Sequence, residues 1–352
     1  MTRLFLFARH LALAFVLVGA STAAGPVRAF EYNILTGGPT GTYIQFGRDI
    51  AGAASNCGIE LNVRESAGSL ENFLGVRQRP VTQFGIVQSD VLEYLRTYAA
   101  GDPEVARAIA GVRIAFPLYN EEVHLIATDA VQSLADLAGK KVAIGVQDSG
   151  TFLTASLVLD LSGVTDAERL TIGPDESLRQ LKAGEIDAFF YVAGAPTKLF
   201  QDPGIDPARF HLVPMTDPVL RAVYLPARIE AGTYPFQTEP VDAIAVKAVL
   251  MTYEYDPAKN SYHRESCKGV SDITHVILTR FKQLQESGHP KWKQVDLNDI
   301  PPGWEVGGCV NTGLAPNYAL PCDTPPAAMA APDESKANSV YRERICAVMG
   351  GC

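Results

Sequence analysis

The chain has 352 residues, of which 47% are hydrophobic, and carries a formal net charge of −9. An acidic balance of this size argues against nucleic acid or anionic lipid as partners. Length alone favours two lobes, because a single core rarely serves a chain this long.

Residues 1–29 hold Arg3, Arg9 and Arg28 and no acid, around an apolar run from Leu11 to Val18 that gives way to Gly19, Ala20, Ala23 and Ala24. This pattern predicts a cleaved secretory signal peptide, too short for a membrane span. The remainder is more acidic, 27 basic residues against 39 acids, and no later run is long and apolar enough to cross a bilayer. The expected location is outside the cytoplasm.

From Phe30 onward, strand-like apolar runs alternate with helix-length amphipathic segments. Tyr32–Leu35 reads as a strand, followed by a turn from Gly37 to Gly41 and a helix from Tyr43 to Ala54. A glycine-rich turn that leaves a strand and opens a helix aims free N–H groups and the positive end of the helix dipole at one point, a comfortable seat for an anion. Ile59–Arg64 is the next strand, then the small-residue turn Ser66–Asn72 opens a helix in which Ser69 is either a cap or a ligand donor. Phe84–Val87 is a buried strand, broken at Gln88–Asp90 before a helix from Val91 to Tyr98. Strand, small polar turn and helix, repeated, predict an α/β lobe with a mostly parallel sheet, its turns gathered at the carboxyl ends of the strands.

Val112–Pro117 and Val123–Thr128 read as two strands separated by Leu118–Glu122. A short helix around Ser133–Lys140 and a strand Lys141–Val146 lead to Gln147-Asp148-Ser149-Gly150-Thr151, which repeats the opening device ahead of a helix from Phe152 to Leu161. Leu178–Ala183 is helical, and Ala188–Val192 and Phe210–Pro214 are strands. A turn at Ala231–Gln237 presents Tyr234 and Gln237; the strand Ala243–Thr252 and a long helix from Asp272 to Ser287 follow. Beyond Pro301 the composition shifts to Pro, Gly and Ala, with a last short helix at Ser339–Met349.

Six cysteines, Cys57, Cys267, Cys309, Cys322, Cys346 and Cys352, in an exported chain favour disulfides over metal. Five of them lie after residue 266, so the tail is expected to be stapled to the body, with the pairing left open. A zinc site at His263 and Cys267 lacks any C-x-x-C companion. Neither metal nor cofactor is expected.

The ordered set of turns resembles the TAXI family, the solute-binding proteins of tripartite ATP-independent periplasmic (TRAP) transporters. It comprises Gly37–Tyr43, Ala67–Asn72, Val87–Asp90, Ser133–Lys140, Asp148–Thr151, Ile186–Pro196 and Ala231–Pro235, and spans roughly residues 31–290. The resemblance implies a type II periplasmic-binding-protein fold, two α/β lobes hinged over a ligand cleft. Lobe one would comprise 30–124 and 214–300, lobe two 125–213, with 301–352 a cysteine-containing extension. It further implies a periplasmic receptor for a small organic acid or acidic amino acid of the glutamate or dicarboxylate class, a monomer that hands its solute to the permease subunits. The family's pocket-facing turns fall at Thr36, Gly41, Thr42, Tyr43, Ser66, Ser69, Gln88, Ser149, Thr151, Ala193 and Tyr234. Two departures stand out: Pro39 removes one N–H donor, and Asp148 adds a carboxylate that either meets a solute ammonium or faces solvent.

An ABC-transporter binding protein or a sensor input module would share these features. A secreted enzyme is less well supported. The glycine two residues before Ser149 that a nucleophile elbow needs is absent, the histidines lack metal-ligand spacing, and Gly41-Thr42-Tyr43 lacks the Lys-Ser/Thr pair of a phosphate loop.

Overall fold

The apolar runs condense into one mixed sheet flanked by helices. The computed structural model describes residues 30–39, 41–99, 101–221 and 223–323. The signal segment, the helix expected at 339–349, Cys346 and Cys352 lie outside these.

In chain order the elements begin β1 (Tyr32–Leu35), α1 (Thr42–Ser55), β2 (Leu61–Arg64), α2 (Ser69–Gln78), β3 (Thr82–Gln88), α3 (Val91–Tyr98), α4 (Pro103–Gly111) and β4 (Val112–Thr128). They continue with β5 (Lys141–Ala143), α5 (Gly150–Leu161), β6 (Glu168–Leu170), α6 (Pro174–Ala183), β7 (Ala188–Ala193), β8 (Phe210–Leu212), α7 (Pro218–Arg221), β9 (Leu225–Ile229) and β10 (Val241–Tyr253). Then come α8 (Ser261–Thr279), α9 (Phe281–Ser287) and α10 (Gly308–Leu314).

The sheet runs β2-β1-β3-β10-β4-β7-β5-β6, with β8 added to β4 and β9 to β10. It contains the same plan twice. β1 lies parallel to both β2 and β3, and β3 is closed by antiparallel β10; β5 lies parallel to both β6 and β7, and β7 is closed by antiparallel β4. The long strands β4 and β10 pair with each other where the two halves meet. This is the α/β periplasmic-binding-protein-like fold, with a crossing strand donated to each half.

Two apolar clusters follow the division. One gathers side chains from Leu70 to Ile114 with Val249, Met251 and Trp304; the other gathers Val123 to Val213. Met215, Leu220, Tyr224, Ile229, Tyr234 and Phe236 belong to the second cluster, so the chain returns to the first half within β10 rather than at residue 214. Helix α5 joins both, Leu153 and Leu157 entering the first cluster and Ala155, Val158 and Leu159 the second. A helix apolar on all sides suits that position.

Three departures from the sequence expectation have physical causes. Val112–Thr128 is one 17-residue strand, not two. Its polar centre needs no turn because Asn120, Glu121 and Glu122 pair with Lys247, Val246 and Ala245 of β10, and Glu122 also with Ala193 of β7. Helix α8 starts well before Asp272, at a cap where Asn260 accepts the His263 N–H at 2.9 Å, and the helical run breaks at Arg280. Helix α4, not anticipated, is opened by Asp102 accepting from Glu104 and Val105, with Pro103 at its first position.

Two disulfides resolve part of the cysteine question. Cys57, just past α1, joins Cys322, and Cys267 of α8 joins Cys309 of α10. Cys267 is therefore engaged by sulfur, while the ring of His263 accepts the Asp256 N–H at 3.0 Å. Residues 302–323 are stapled and also packed. Trp304 is buried in the first cluster with its indole N–H on Ser89 O at 3.1 Å, and Asp323 accepts from His275 at 2.8 Å.

Candidate ligand-binding site

The carboxyl ends of β1 and β5 face one cavity of about 380 Å³. From the first half, the turn Gly37–Gly41 opens α1 without a side-chain cap, because the N-cap residue is Gly41. From the second half, Gly145–Ser149 opens α5, where Ser149 caps by accepting the Phe152 N–H at 3.1 Å. Gly145, at φ +91°, is glycine for a reason: a Cβ there would stand 2.9 Å from Ser149 Oγ and Thr151 Cβ. The earliest N–H groups of a helix have no partner within it. The starts of both α1 and α5 border the cavity, which gives it donors at two sides.

The start of α2 is different. Its Leu70 and Glu71 N–H groups both bond the carbonyl of Asp148, at 3.1 and 3.4 Å. That carbonyl belongs to the opposite half, and Asp148 holds φ +67°. Helix α2 therefore spends its free donors on bridging the halves. Gly150 continues the contact: a Cβ on it would sit 2.4 Å from Gln88 Oε1 and 2.7 Å from Ser69 Oγ. Deeper in, Thr154 Oγ1 lies 3.0 Å from Gln88 Oε1 and 2.9 Å from Asp90 Oδ2, its one proton shared between the two acceptors, and Tyr224 also reaches Asp90 Oδ2.

Nine of the twelve residues expected at the ligand line the cavity: Gly41, Thr42, Tyr43, Ser66, Ser69, Gln88, Ser149, Thr151 and Ala193. Several are already committed as positioners. Ser66 Oγ lies 3.0 Å from Thr36 O and 2.6 Å from Asn72 Oδ1, its one proton shared between the two acceptors; Ser69 Oγ accepts the Gln88 N–H at 3.0 Å; Thr151 Oγ1 accepts the Val192 N–H at 3.1 Å. These bonds fix the strand ends around the cavity and leave backbone groups to face it.

Three residues stand elsewhere. Thr36 is fully buried, donating to Arg64 O at 2.8 Å to join β1 to β2. Tyr234 is fully buried in the second cluster, stacked on Phe236, with its hydroxyl on His124 Nε2 at 2.7 Å and accepting the Thr197 N–H at 3.2 Å. The turn at 231–237 folds its ring inward, so it covers core rather than solute. Asp148 acts through its carbonyl, as above, and its side chain is not among the cavity walls. His124, held between Tyr234 and Tyr191 O, is pushed down to about 4 by burial and stands neutral in the core.

The wall that sequence reasoning missed is β4 itself. Glu121 lines the cavity, 3% exposed, accepting from Tyr43 at 2.8 Å and Tyr119 at 3.2 Å. Burial pushes its carboxyl up to about 7, against the lowering effect of its hydrogen bonds. Tyr43 is raised well above the phenol range, first by burial and then by Glu121. Neighbouring Glu122 points the other way and pairs with Lys291 at 3.0 Å. Tyr191, Phe190 and exposed Asp175 are also among the lining residues that the sequence reading did not name. An acid amid an apolar strand was the available signal, hidden by placing Leu118–Glu122 in a loop. Among the described residues, no lysine, arginine or histidine lines the cavity.

A pair of half-sheets, each closed by a long strand and sharing a cavity at their strand ends, has the α/β fold of a periplasmic-binding-protein-like molecule. Residues 34–300 match the NMT1-like family, and the chain belongs to it. Solved structures similar to it include one described as a periplasmic transporter, 14% identical, TM-score 0.46, over 73% of this chain and 87% of that one. Another is assigned as the periplasmic sulfonate-binding protein of an ABC transporter from Methylobacillus flagellatus KT, 14% identical, TM-score 0.44, over 82% and 81%. A third is a histidine kinase sensor domain with similarity to periplasmic binding proteins, 15% identical, TM-score 0.43, over 75% and 96%. Among the described residues, no helix is long and apolar enough to cross a membrane.

Proposed function

We propose that this chain is an exported solute receptor that closes over one small organic acid or amino acid and delivers it to the permease subunits of an ion-gradient-driven TRAP transporter. The observation that carries this reading is the single cavity bounded by the starts of α1 and α5, each opened by a small-residue turn at a strand end. Two helix starts supply N–H donors and dipole ends to a solute carboxylate, replacing one strong ion pair with several moderate bonds. The cavity lies near the lower end of the roughly 300–1,000 Å³ usual for ligand pockets, which suits one compact solute. The TRAP partnership and the periplasmic address rest on the ordered turns and on the signal-like segment 1–29. The lobes are taken as 30–124 with the chain after β10, and 125–213 with 215–246, hinged on β4 and β10.

The test is a thermal-shift screen of organic acids and amino acids on the purified chain. A true solute at about 100 times its Kd adds about 2.7 kcal/mol to stability, a plainly visible rise in Tm. Hits confined to sugars or metal ions, or turnover of a compound without stabilisation, would overturn the reading.

A further inference from the structure

The cavity pairs a wall of N–H donors with a buried carboxylate that has no charged protein partner. Glu121 accepts from the phenols of Tyr43 on α1 and Tyr119 on its own strand, and the amide of Gln88 on β3 stands beside it. All three are neutral. The two buried lysines close to this part of β4 are taken, Lys291 by Glu122 at 3.0 Å and Lys247, in register with Asn120, by Asp299 at 2.5 Å. A carboxylate buried among neutral donors is costly and is relieved either by taking up a proton or by pairing with a cation, and it has room for more bonds than the two phenols supply. Glu121 is itself one of the residues that line the cavity.

We propose that Glu121 receives an ammonium group of the solute, so that the site takes amino acids in preference to organic acids of the same shape that lack an amine. The inference rests on the receptor reading above and narrows it. The solute's carboxylate lies toward the starts of α1 and α5 and its ammonium toward β4. The two poles of one small zwitterion then meet complementary poles of one cavity. Asp148, the acid that the sequence places next to the site, does not take this role, because it is the Asp148 carbonyl that is engaged, and on α2.

The experiment measures Kd by calorimetry for matched pairs that differ only in amine against ketone: L-glutamate with α-ketoglutarate, L-leucine with α-ketoisocaproate, L-alanine with pyruvate. It uses the purified chain and its Glu121→Gln variant. For the pair that fits, the amino acid should bind the wild-type chain at least about ten-fold more tightly than the keto acid. Glu121→Gln, which keeps the shape, accepts one phenol at its carbonyl oxygen and donates its amide N–H to the oxygen of the other, should lose that advantage while leaving the keto acid within about three-fold. Keto acids that match or exceed their amino partners, or a variant that weakens both members equally, would overturn the ammonium role and leave the receptor reading standing. If no member of any pair binds, the reading of the solute class falls, and this inference with it. The variant's Tm without solute, unchanged or raised, shows that it folds.

Discussion

The two halves of the sheet share one strand plan and differ in what their helices do with it. In the second half, α5 is capped by Ser149 and buried on all sides, wedged between both cores. In the first, α1 starts at Gly41 with no side-chain cap, and its far end is tied by Cys57 to Cys322. One half therefore holds its cavity-facing helix by packing against both cores, while the other adds a covalent staple to a helix whose Ile44, Phe46, Ile50 and Ala54 are buried. The lesson is that repetition of topology does not carry repetition of chemistry. Donors left uncapped at α1 are available to a solute; those of α2, spent on the Asp148 carbonyl, hold the halves together.

The largest effect should come from the staple. The Cys57–Cys322 bond closes a separation of 265 residues; loop entropy alone assigns such a bond about 5–6 kcal/mol, and removal of a native disulfide typically costs about 2–5 kcal/mol. Replacing both cysteines by serine should lower denaturant stability by that order, with the loss centred on α1. Hydrogen exchange showing α5 loosened as much as α1 would break the contrast between a stapled and a packed half.

Next is Gly150→Ala. Its Cβ would meet Gln88 Oε1 at 2.4 Å, so the contact between the halves must open or strain, at a cost of about 1–3 kcal/mol. Solute affinity should fall while the circular dichroism spectrum stays unchanged. Undiminished affinity would show that the halves need not approach this closely.

The smallest pair of changes tests the caps directly. Ser149→Ala should cost about 1 kcal/mol in urea unfolding, since it removes the bond to Phe152 N–H. Gly41→Ser installs a cap where the backbone is extended and the nearest foreign atom is 3.4 Å away. It should stabilise the chain by a few tenths of a kcal/mol and weaken solute binding, because the new hydroxyl competes for the N–H groups of α1. A Gly41→Ser variant that binds as tightly as wild type would mean that α1 does not hold the carboxylate.

Much of the scaffold was legible because local chemistry dictated it. The apolar runs of β1, β3, β7 and β10 and the turns at Gly37–Gly41 and Asp148–Thr151 are punctuated by residues that admit few other structures. The role of Ser69 was open to either reading from its position alone; in the fold it lines the cavity and accepts the Gln88 N–H. Tyr234 was misplaced for a similar reason. A turn fixes where a residue sits along the chain, while the side of the sheet its ring enters depends on His124 and Phe236, which are distant in sequence or fixed by packing.

By itself the sequence determined the alternating strand and helix rhythm, the acidic balance, the cysteine supply and the small-residue turns that open α1 and α5, since propensity and glycine stereochemistry act over a few residues. Only the tertiary structure decided that β4 runs unbroken, that Cys57 finds Cys322, that α2 gives its donors to Asp148, and that Glu121 stands in the cavity wall without a charged partner. Each of those depends on burial and on partners far away in the chain, and burial is what turns a glutamate among apolar residues from a surface charge into a site.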